Sequence, residues 1–143
     1  MSDLLVLRQE PLGDGPGSVT LALTGAFARA RDALEARRPV VVVVAAGDLL
    51  GQGDPLDAAV ATGLLGMVRT LAIEGAKPGW RINVVAAPGV AEAGGREGLG
   101  VASVDEAADE EDPVALTIAM LAESELTGQL LQVGGANLGK LPA

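Results

Sequence analysis

The sequence predicts a single α/β domain over residues 1–143, with about four parallel strands in one sheet and helices on both of its faces. The first observation is that short apolar, β-branched runs alternate with longer segments whose apolar residues recur every three or four positions. The second is the run "PVVVVVAA" at 39–46, which is apolar without interruption. Such a run is typical of a parallel strand that is buried on both faces.

The elements are predicted in the order strand, helix, strand, helix, strand, loop, helix, strand. The predicted strands lie at 3–8, 39–46, 81–87 and 128–133. A turn-rich connection at 10–18 precedes the first helix, which is predicted over 19–38 from its spacing of apolar residues.

The second and third helices are predicted to begin with the same pair of residue types. Asp54 is the N-cap of the second helix and Pro55 its first residue, and Asp112 and Pro113 open the third in the same way. The second helix is predicted to follow a loop at 47–54 and to run to about residue 75. Residues 90–111 are rich in glycine, alanine and acidic residues, and are predicted to form a surface loop with room for one short helix.

Composition restricts the possible partners and chemistry. A net charge of −9 disfavours nucleic acid and anionic membranes as partners, because both repel an acidic protein. The chain begins without a basic and then apolar leader, so we expect a cytoplasmic protein.

The sequence contains no histidine, cysteine or tyrosine and only the two lysines Lys77 and Lys140, so the usual general bases and soft metal ligands are missing. We therefore expect no catalytic, cofactor-binding or metal-binding residues.

Four segments, in chain order, resemble the C-terminal half of the short-chain dehydrogenase/reductase family. They are "DLLVLRQE" at 3–10, "LTGAFARARDAL" at 23–34, "GLLGMVRTLAIEGAKPGWRINVVAAPG" at 63–89 and "EDPVALTIAMLAESELTGQLLQVGGA" at 111–136. The resemblance implies a truncated Rossmann-like half. It also leaves one edge of strand 3–8 without the strand that pairs with it in the family, so that edge needs the N-terminal connection, a partner or water.

The functional residues of that family are not retained. The positions of its Tyr-x-x-x-Lys pair are occupied by Asp57 and Ala61, and no hydroxyl stands at 44–46, where its serine is expected. Its asparagine corresponds to Ala22 and its nicotinamide-gripping threonine to Ala93. A carboxylate cannot offer a proton to a carbonyl as a phenol does, and Asp57 is readily explained as a favourable charge in the first turn of a helix.

A dinucleotide site is not indicated either. The one candidate glycine-rich turn, "GDGPG" at 13–17, has the spacing G-x-G-x-G, and Pro16 removes an amide that a phosphate would need.

The elements that the resemblance does retain are those that form subunit interfaces in the family. The helices matching 19–38 and 55–75 form a four-helix bundle with a neighbouring subunit, and the last helix and strand form a second interface. Small residues along the second helix would let another helix approach closely. The predicted interface residues are Phe27, Ala58, Ala61, Thr62, Gly63 and Gly66.

Three hypotheses of function follow. The first is a non-catalytic subunit that oligomerises through its two long helices, with itself or with an intact short-chain dehydrogenase. The alternative is a module that binds a small molecule or an acyl group in the cleft near 47–53 and 88–95. The third is a residual enzyme that uses Asp48, Asp54 or Asp57 as a general base.

Overall fold

The computed structural model describes residues 3–12, 15–88, 101–104 and 112–133. Within these residues the chain forms five strands and four helices. In chain order they are β1 Leu5–Gln9, α1 Gly15–Glu35, β2 Val40–Ala45, α2 Ala46–Leu49, α3 Pro55–Glu74, β3 Ile82–Ala87, β4 Val101–Val104, α4 Pro113–Glu123 and β5 Leu130–Gln132.

The strands form one sheet in the order β4-β1-β2-β3-β5. Strands β1, β2, β3 and β5 are parallel, which confirms the predicted four parallel strands. Strand β2 is central: Val40 pairs with Leu5 on one side and with Ile82 on the other. All six residues of β2 are buried, as the continuous apolar run at 39–46 predicts, and all six residues of β3 are buried as well.

Helices cover both faces of the sheet, as predicted. Val40, Val42 and Val44 belong to a core formed with α1 and α3. The alternating residues Val41 and Val43 face the other way and pack with α4. Because successive side chains of a strand point to opposite faces, the valine run of β2 supplies both cores.

The two predicted N-caps are confirmed. The Leu56 amide donates to Asp54 Oδ1 at 2.8 Å, and the Val114 amide donates to Asp112 Oδ1 at 2.9 Å. Each aspartate is followed by a proline in the first turn, where no amide is needed for the helix.

Helix α1 is displaced from its predicted bounds at both ends. It begins at Gly15 because a proline, here Pro16, is tolerated in the first helical turn despite its missing amide. It ends at Glu35, because Arg37 adopts a left-handed conformation (φ 66°) and the Arg38 amide returns to the Ala33 carbonyl at 2.8 Å. This termination satisfies helix-end carbonyls that would otherwise lack a donor.

Two predictions about loops are wrong. The loop predicted at 47–54 begins with the short helix α2. Within the loop predicted at 90–111, residues 101–104 form β4, which pairs antiparallel with β1 from Val6↔Val104 to Gln9↔Val101. Strand β4 thereby occupies the edge of β1 that was expected to lack a strand partner, because the hydrogen-bonding groups of β1 provide a ready template for pairing. The remainder of 90–111 lies outside the described residues.

Glycines permit two close contacts on α3 and at its end. A Cβ on Gly63 would lie 2.8 Å from Leu23 Cδ1, so this glycine makes room for a side chain of α1. A Cβ on Gly75 would lie 2.5 Å from Trp80 Cβ, so this glycine lets the turn after α3 fold back onto the helix end. Both glycines are therefore explained by packing within the chain.

Among the described helices, α3 alone is long and apolar enough to cross a membrane. The core helix of a globular domain meets the same criterion of length and composition. Here the side chains of Val60, Leu64 and Val68 are fully buried against the sheet. One face of α3 is therefore the inner wall of the main core.

We predict that Gly75→Ala lowers the free energy of unfolding by about 1–3 kcal/mol, because the added Cβ overlaps the first side-chain atom of Trp80. The matched control is Gly25→Ala in α1, where a Cβ meets nothing within 4 Å. That control should raise stability by about 0.5–1 kcal/mol through helix propensity. Chemical denaturation of the two variants measures both effects, and equal stability of the two would contradict the predicted overlap.

Candidate functional site

Polar side chains meet at the carboxyl edge of the parallel strands. Gln9 ends β1, Ala45 ends β2, Asp48 lies in α2 and Asp57 lies in the first turn of α3. In open α/β sheets, ligands bind at this edge, so these side chains form a candidate binding or catalytic site.

Gln9 organises this edge and is 2% exposed. Its Oε1 accepts a hydrogen bond from the Ala45 amide at 3.1 Å. Its Nε2 donates to Asp48 Oδ2 and to the Asp57 main-chain carbonyl, both at 3.0 Å. The glutamine thus joins the end of β2 to the starts of two helices. Sequence reasoning did not single it out, although a polar residue that closes an apolar parallel strand is a signal that could have done so.

Asp57 has a structural partner. The Leu12 amide donates to its Oδ1 at 2.9 Å, so the carboxylate holds the segment that leaves β1. This residue stands where the family resemblance expects a tyrosine. Ala61, where a lysine is expected, is fully buried and apolar, and Val44, Ala45 and Ala46 carry no hydroxyl. Ala93 lies outside the described residues.

The three carboxylates considered as possible bases do converge. Asp48, Asp54 and Asp57 line one pocket of about 130 Å³ together with Gln9, Glu10, Pro11, Ala45 and Gly53. No local pattern indicates this convergence, because it depends on the packing of α2 against α3. Ligand pockets commonly span about 300–1,000 Å³, so this one is small.

Asp48 is electrostatically strained in this pocket. Burial raises the pKa of its carboxyl above the ordinary 3.8, and the charges of Asp57 and Asp54 raise it further, while the hydrogen bond from Gln9 opposes the shift.

Four carboxylates at one edge also repel a pyrophosphate. In the part of the chain that the structure describes, no group of three or more acidic side chains is arranged to hold a metal ion.

A second candidate surface lies between α1 and α3. It is a groove of about 430 Å³ whose walls come from both helices. Its lining residues are Leu23, Thr24, Phe27, Gly63, Gly66, Met67, Thr70, Leu71 and Glu74. Phe27, Gly63 and Gly66, three of the predicted interface residues, thus lie together on one groove.

The other predicted interface residues differ in exposure. Thr62 is exposed and Ala58 is half-buried, and both lie on α3. Ala61 is fully buried in the core between α3 and the sheet, so its assignment to an outer surface is wrong. The physical reason is helical geometry: Ala61 follows Val60 on the face that packs against the sheet, together with Leu64 and Val68.

An arginine closes one end of the groove. Arg31 Nε lies 3.0 Å from Glu35 Oε1, and its Nη1 lies 3.0 Å from Glu74 Oε1, so the guanidinium joins α1 to α3. The same guanidinium lies 6.0 Å from the ring centre of Phe27 and 5.9 Å from that of Trp80. These contacts place the single positive charge of Arg31 between two carboxylates at this end of the groove.

We predict that Asp48→Asn raises the free energy of unfolding at neutral pH. The pKa of Asp48 is raised in the folded protein, so the ionised carboxyl destabilises the fold, and this penalty is relieved as pH falls through the raised pKa towards 3.8. The advantage of the variant should therefore be largest at neutral pH and vanish below about 3.8.

Denaturation measured across pH tests this prediction, with Glu125→Gln as the control that removes an exposed carboxylate elsewhere. A stability advantage of Asp48→Asn that does not depend on pH would contradict it.

Comparison with known proteins gives structural matches only. No protein-family model and no curated protein matches the sequence. The structure of 3-hydroxyacyl-CoA dehydrogenase type-2 from Mycobacterium avium aligns with a TM-score of 0.61 and 18% identity, over 84% of this chain and 55% of that one. A short chain dehydrogenase from Bacillus anthracis aligns with a TM-score of 0.60 and 21% identity, over 93% of this chain and 63% of that one.

At such identities the likeness concerns the fold alone. The chain spans 55% and 63% of the lengths of these two enzymes. The protein therefore has an α/β Rossmann-like fold that is similar to that of short-chain dehydrogenases.

Proposed function

We propose that the protein is a non-catalytic subunit with a short-chain-dehydrogenase-like fold. It associates through the outer face of α1 and α3, either with another copy or with an intact dehydrogenase whose assembly it supports. The observation that carries the proposal is the apolar groove between these two helices, which exceeds the carboxyl-edge pocket in volume, about 430 Å³ against 130 Å³.

The composition of α3 supports a covered outer face. Helix α3 is long and apolar enough to cross a membrane, yet only 33% of its most apolar 18-residue stretch is buried within the chain. Apolar residues lie on the outer face beside the exposed Arg69 and Thr70, and exposed apolar patches often mark protein–protein contacts. Ile73 on this outer face is 79% exposed, and Phe27 across the groove is 42% exposed. A protein partner would remove both from water.

The carboxyl edge supports the non-catalytic part of the proposal. The polar groups there bond mainly to one another: Gln9 to Asp48, and Asp57 to the Leu12 amide. Such bonds hold segments together. The chain has no tyrosine or histidine, and no lysine is among the described residues that line the pocket. A raised carboxyl pKa at Asp48 suits a general base, but the neighbouring carboxylates oppose the oxyanions and phosphates that carbonyl reduction with a dinucleotide requires.

The alternative, a module that binds a small molecule or an acyl group at the carboxyl edge, has weaker support. The pocket within the described residues holds about 130 Å³ and is lined by four carboxylates. An apolar acyl chain gains little in such surroundings. Thermal-shift screening separates the hypotheses, because a ligand that binds only the folded chain raises its melting temperature with ligand excess.

We predict that Gly66→Leu abolishes association without unfolding the chain. A Cβ on Gly66 meets nothing within 4 Å in the isolated chain, so the larger side chain is tolerated there and obstructs only a partner. Helix propensity should leave the stability of the chain equal or higher by about 0.5–1 kcal/mol. The control is Ala36→Leu, which adds a leucine at an exposed position after α1.

Sedimentation equilibrium measures the outcome against the chain mass of 14.3 kDa. The parent and the Ala36→Leu variant should form an assembly, or co-purify with a full-length dehydrogenase of the same cell that mass spectrometry identifies, and Gly66→Leu should do neither. A parent chain that is monomeric at high micromolar concentration and binds no such dehydrogenase overturns the proposal.

We also predict that the purified protein neither oxidises alcohols nor reduces ketones with a nicotinamide cofactor. The chain lacks tyrosine, histidine and cysteine, and Asp57 takes the place of the phenol. Nicotinamide fluorescence during incubation with a panel of alcohols and ketones measures turnover. Turnover that is lost in Asp48→Asn or Asp57→Asn would establish an enzyme and contradict this part of the proposal.

A further inference from the structure

The groove between α1 and α3 is apolar along its length and acidic at one end. Glu74 is the single charged residue among the described residues that line it, while Leu23, Phe27, Met67 and Leu71 give it an apolar surface. Met67 is unbranched and polarizable, and such a side chain adapts to apolar ligands of different shapes. The lining thus suits a ligand that is itself amphipathic.

The acidic end carries an excess of one negative charge. Arg31 lies between Glu35 and Glu74, at a nitrogen–oxygen distance of 3.0 Å from each, so two carboxylates share one guanidinium. The contact with Arg31 uses Oε1 of Glu74, and a carboxylate accepts hydrogen bonds through both of its oxygens. All three side chains are partly exposed, so a second cation can approach this cluster from solvent.

Aromatic rings add a second feature that favours a cation. Phe27 and Trp80 are the two aromatic residues of the chain. The guanidinium carbon of Arg31 lies 6.0 Å from the ring centre of Phe27 and 5.9 Å from that of Trp80. The face of an aromatic ring attracts a cation within about 6 Å. Phe27 also lines the groove and is 42% exposed, so part of its surface is open to a ligand.

From the acidic end and the apolar lining we infer that the groove binds a small amphipathic cation, namely an alkyl chain with an ammonium head. The head lies beside Glu74 and Phe27, and the alkyl chain lies along Leu23, Met67 and Leu71. A volume of about 430 Å³ is within the range of about 300–1,000 Å³ that is usual for ligand pockets. An anionic amphiphile is disfavoured, because Glu74 and the net charge of −9 both repel it.

This inference goes beyond the proposed function, because it concerns a ligand of the groove and not a protein partner. Both occupants would cover Phe27 and fill the open space beside Gly66, so they exclude each other. A bound cation should therefore weaken association. By thermodynamic linkage, association should weaken the binding of the cation by the same factor.

Calorimetric titration with octylammonium tests the inference. Octyl glucoside and octyl sulfate are the comparison ligands, since they attach an uncharged and an anionic head to the same alkyl chain. Below the concentrations at which micelles form, the parent should bind octylammonium about tenfold more tightly than octyl glucoside, and octyl sulfate most weakly. Added salt should reduce this preference, because the charges lie near the surface.

Two variants change the charge of the acidic end in opposite directions. Glu74→Gln removes the excess negative charge and should abolish the preference for octylammonium over octyl glucoside. Arg31→Gln leaves two carboxylates without the guanidinium and should tighten the binding of octylammonium severalfold, which a mere disturbance of the groove would not do. The matched controls Glu125→Gln and Arg29→Gln, at exposed positions outside the groove, should bind as the parent does.

Gly66→Leu tests whether the alkyl chain lies in the groove. A Cβ at this position meets nothing within 4 Å, and the residue lines the groove, so the leucine side chain occupies the space of the ligand. This variant should lose the binding of octylammonium and of octyl glucoside alike. Ala36→Leu, at an exposed position outside the groove, is the control that should retain both.

Sedimentation of the titrated samples separates this inference from the proposed function. Binding of octylammonium that follows the charge of the acidic end supports the inference, whether the parent is assembled or sediments as the 14.3 kDa chain. A parent that binds octyl glucoside as tightly as octylammonium, or that neither binds octylammonium nor dissociates in its presence, overturns the inference. In either case the assembly of the untitrated parent and of Gly66→Leu decides the proposed function independently.

Discussion

The burial of β2 on both faces is the constraint on which the rest of the structure depends. Its valines pair with β1 and β3 within the sheet, and their side chains alternate between two cores. One core requires α1 and α3, and the other requires α4. Since an apolar strand can be buried on both faces only between layers, helices must lie on both sides of the sheet.

Covering the sheet uses only one face of α3. Its inner face is used to cover the sheet, but its composition supplies apolar and small residues on the outer face as well. The two glycines of this helix differ in their surroundings. Gly63 makes room for Leu23 within the chain, whereas Gly66 lines the groove, where a Cβ would meet nothing within 4 Å. A glycine in a helix costs about 0.5–1 kcal/mol relative to alanine, and only at Gly63 does contact within the chain account for it.

The two candidate surfaces differ in charge. The carboxyl edge gathers Glu10, Asp48, Asp54 and Asp57 around a small pocket, and Gln9 ties this edge together. The groove between α1 and α3 is mainly apolar, and at its charged end Arg31 pairs with Glu35 and Glu74. An edge of this kind repels phosphates, while a nearly neutral apolar face favours association with protein. Similarity of fold to dehydrogenases does not by itself establish their activity in this chain.

The sequence by itself determined the order and type of the main elements, because the periods of helices and strands and the caps at Asp54 and Asp112 are local properties. It also determined the absence of tyrosine, histidine and cysteine chemistry. Only the tertiary structure decided that β4 pairs with β1, that Gln9 joins two helices, and that three aspartates share a pocket. Each of these depends on which residues, distant along the chain, the fold brings together, and no local pattern carries that information.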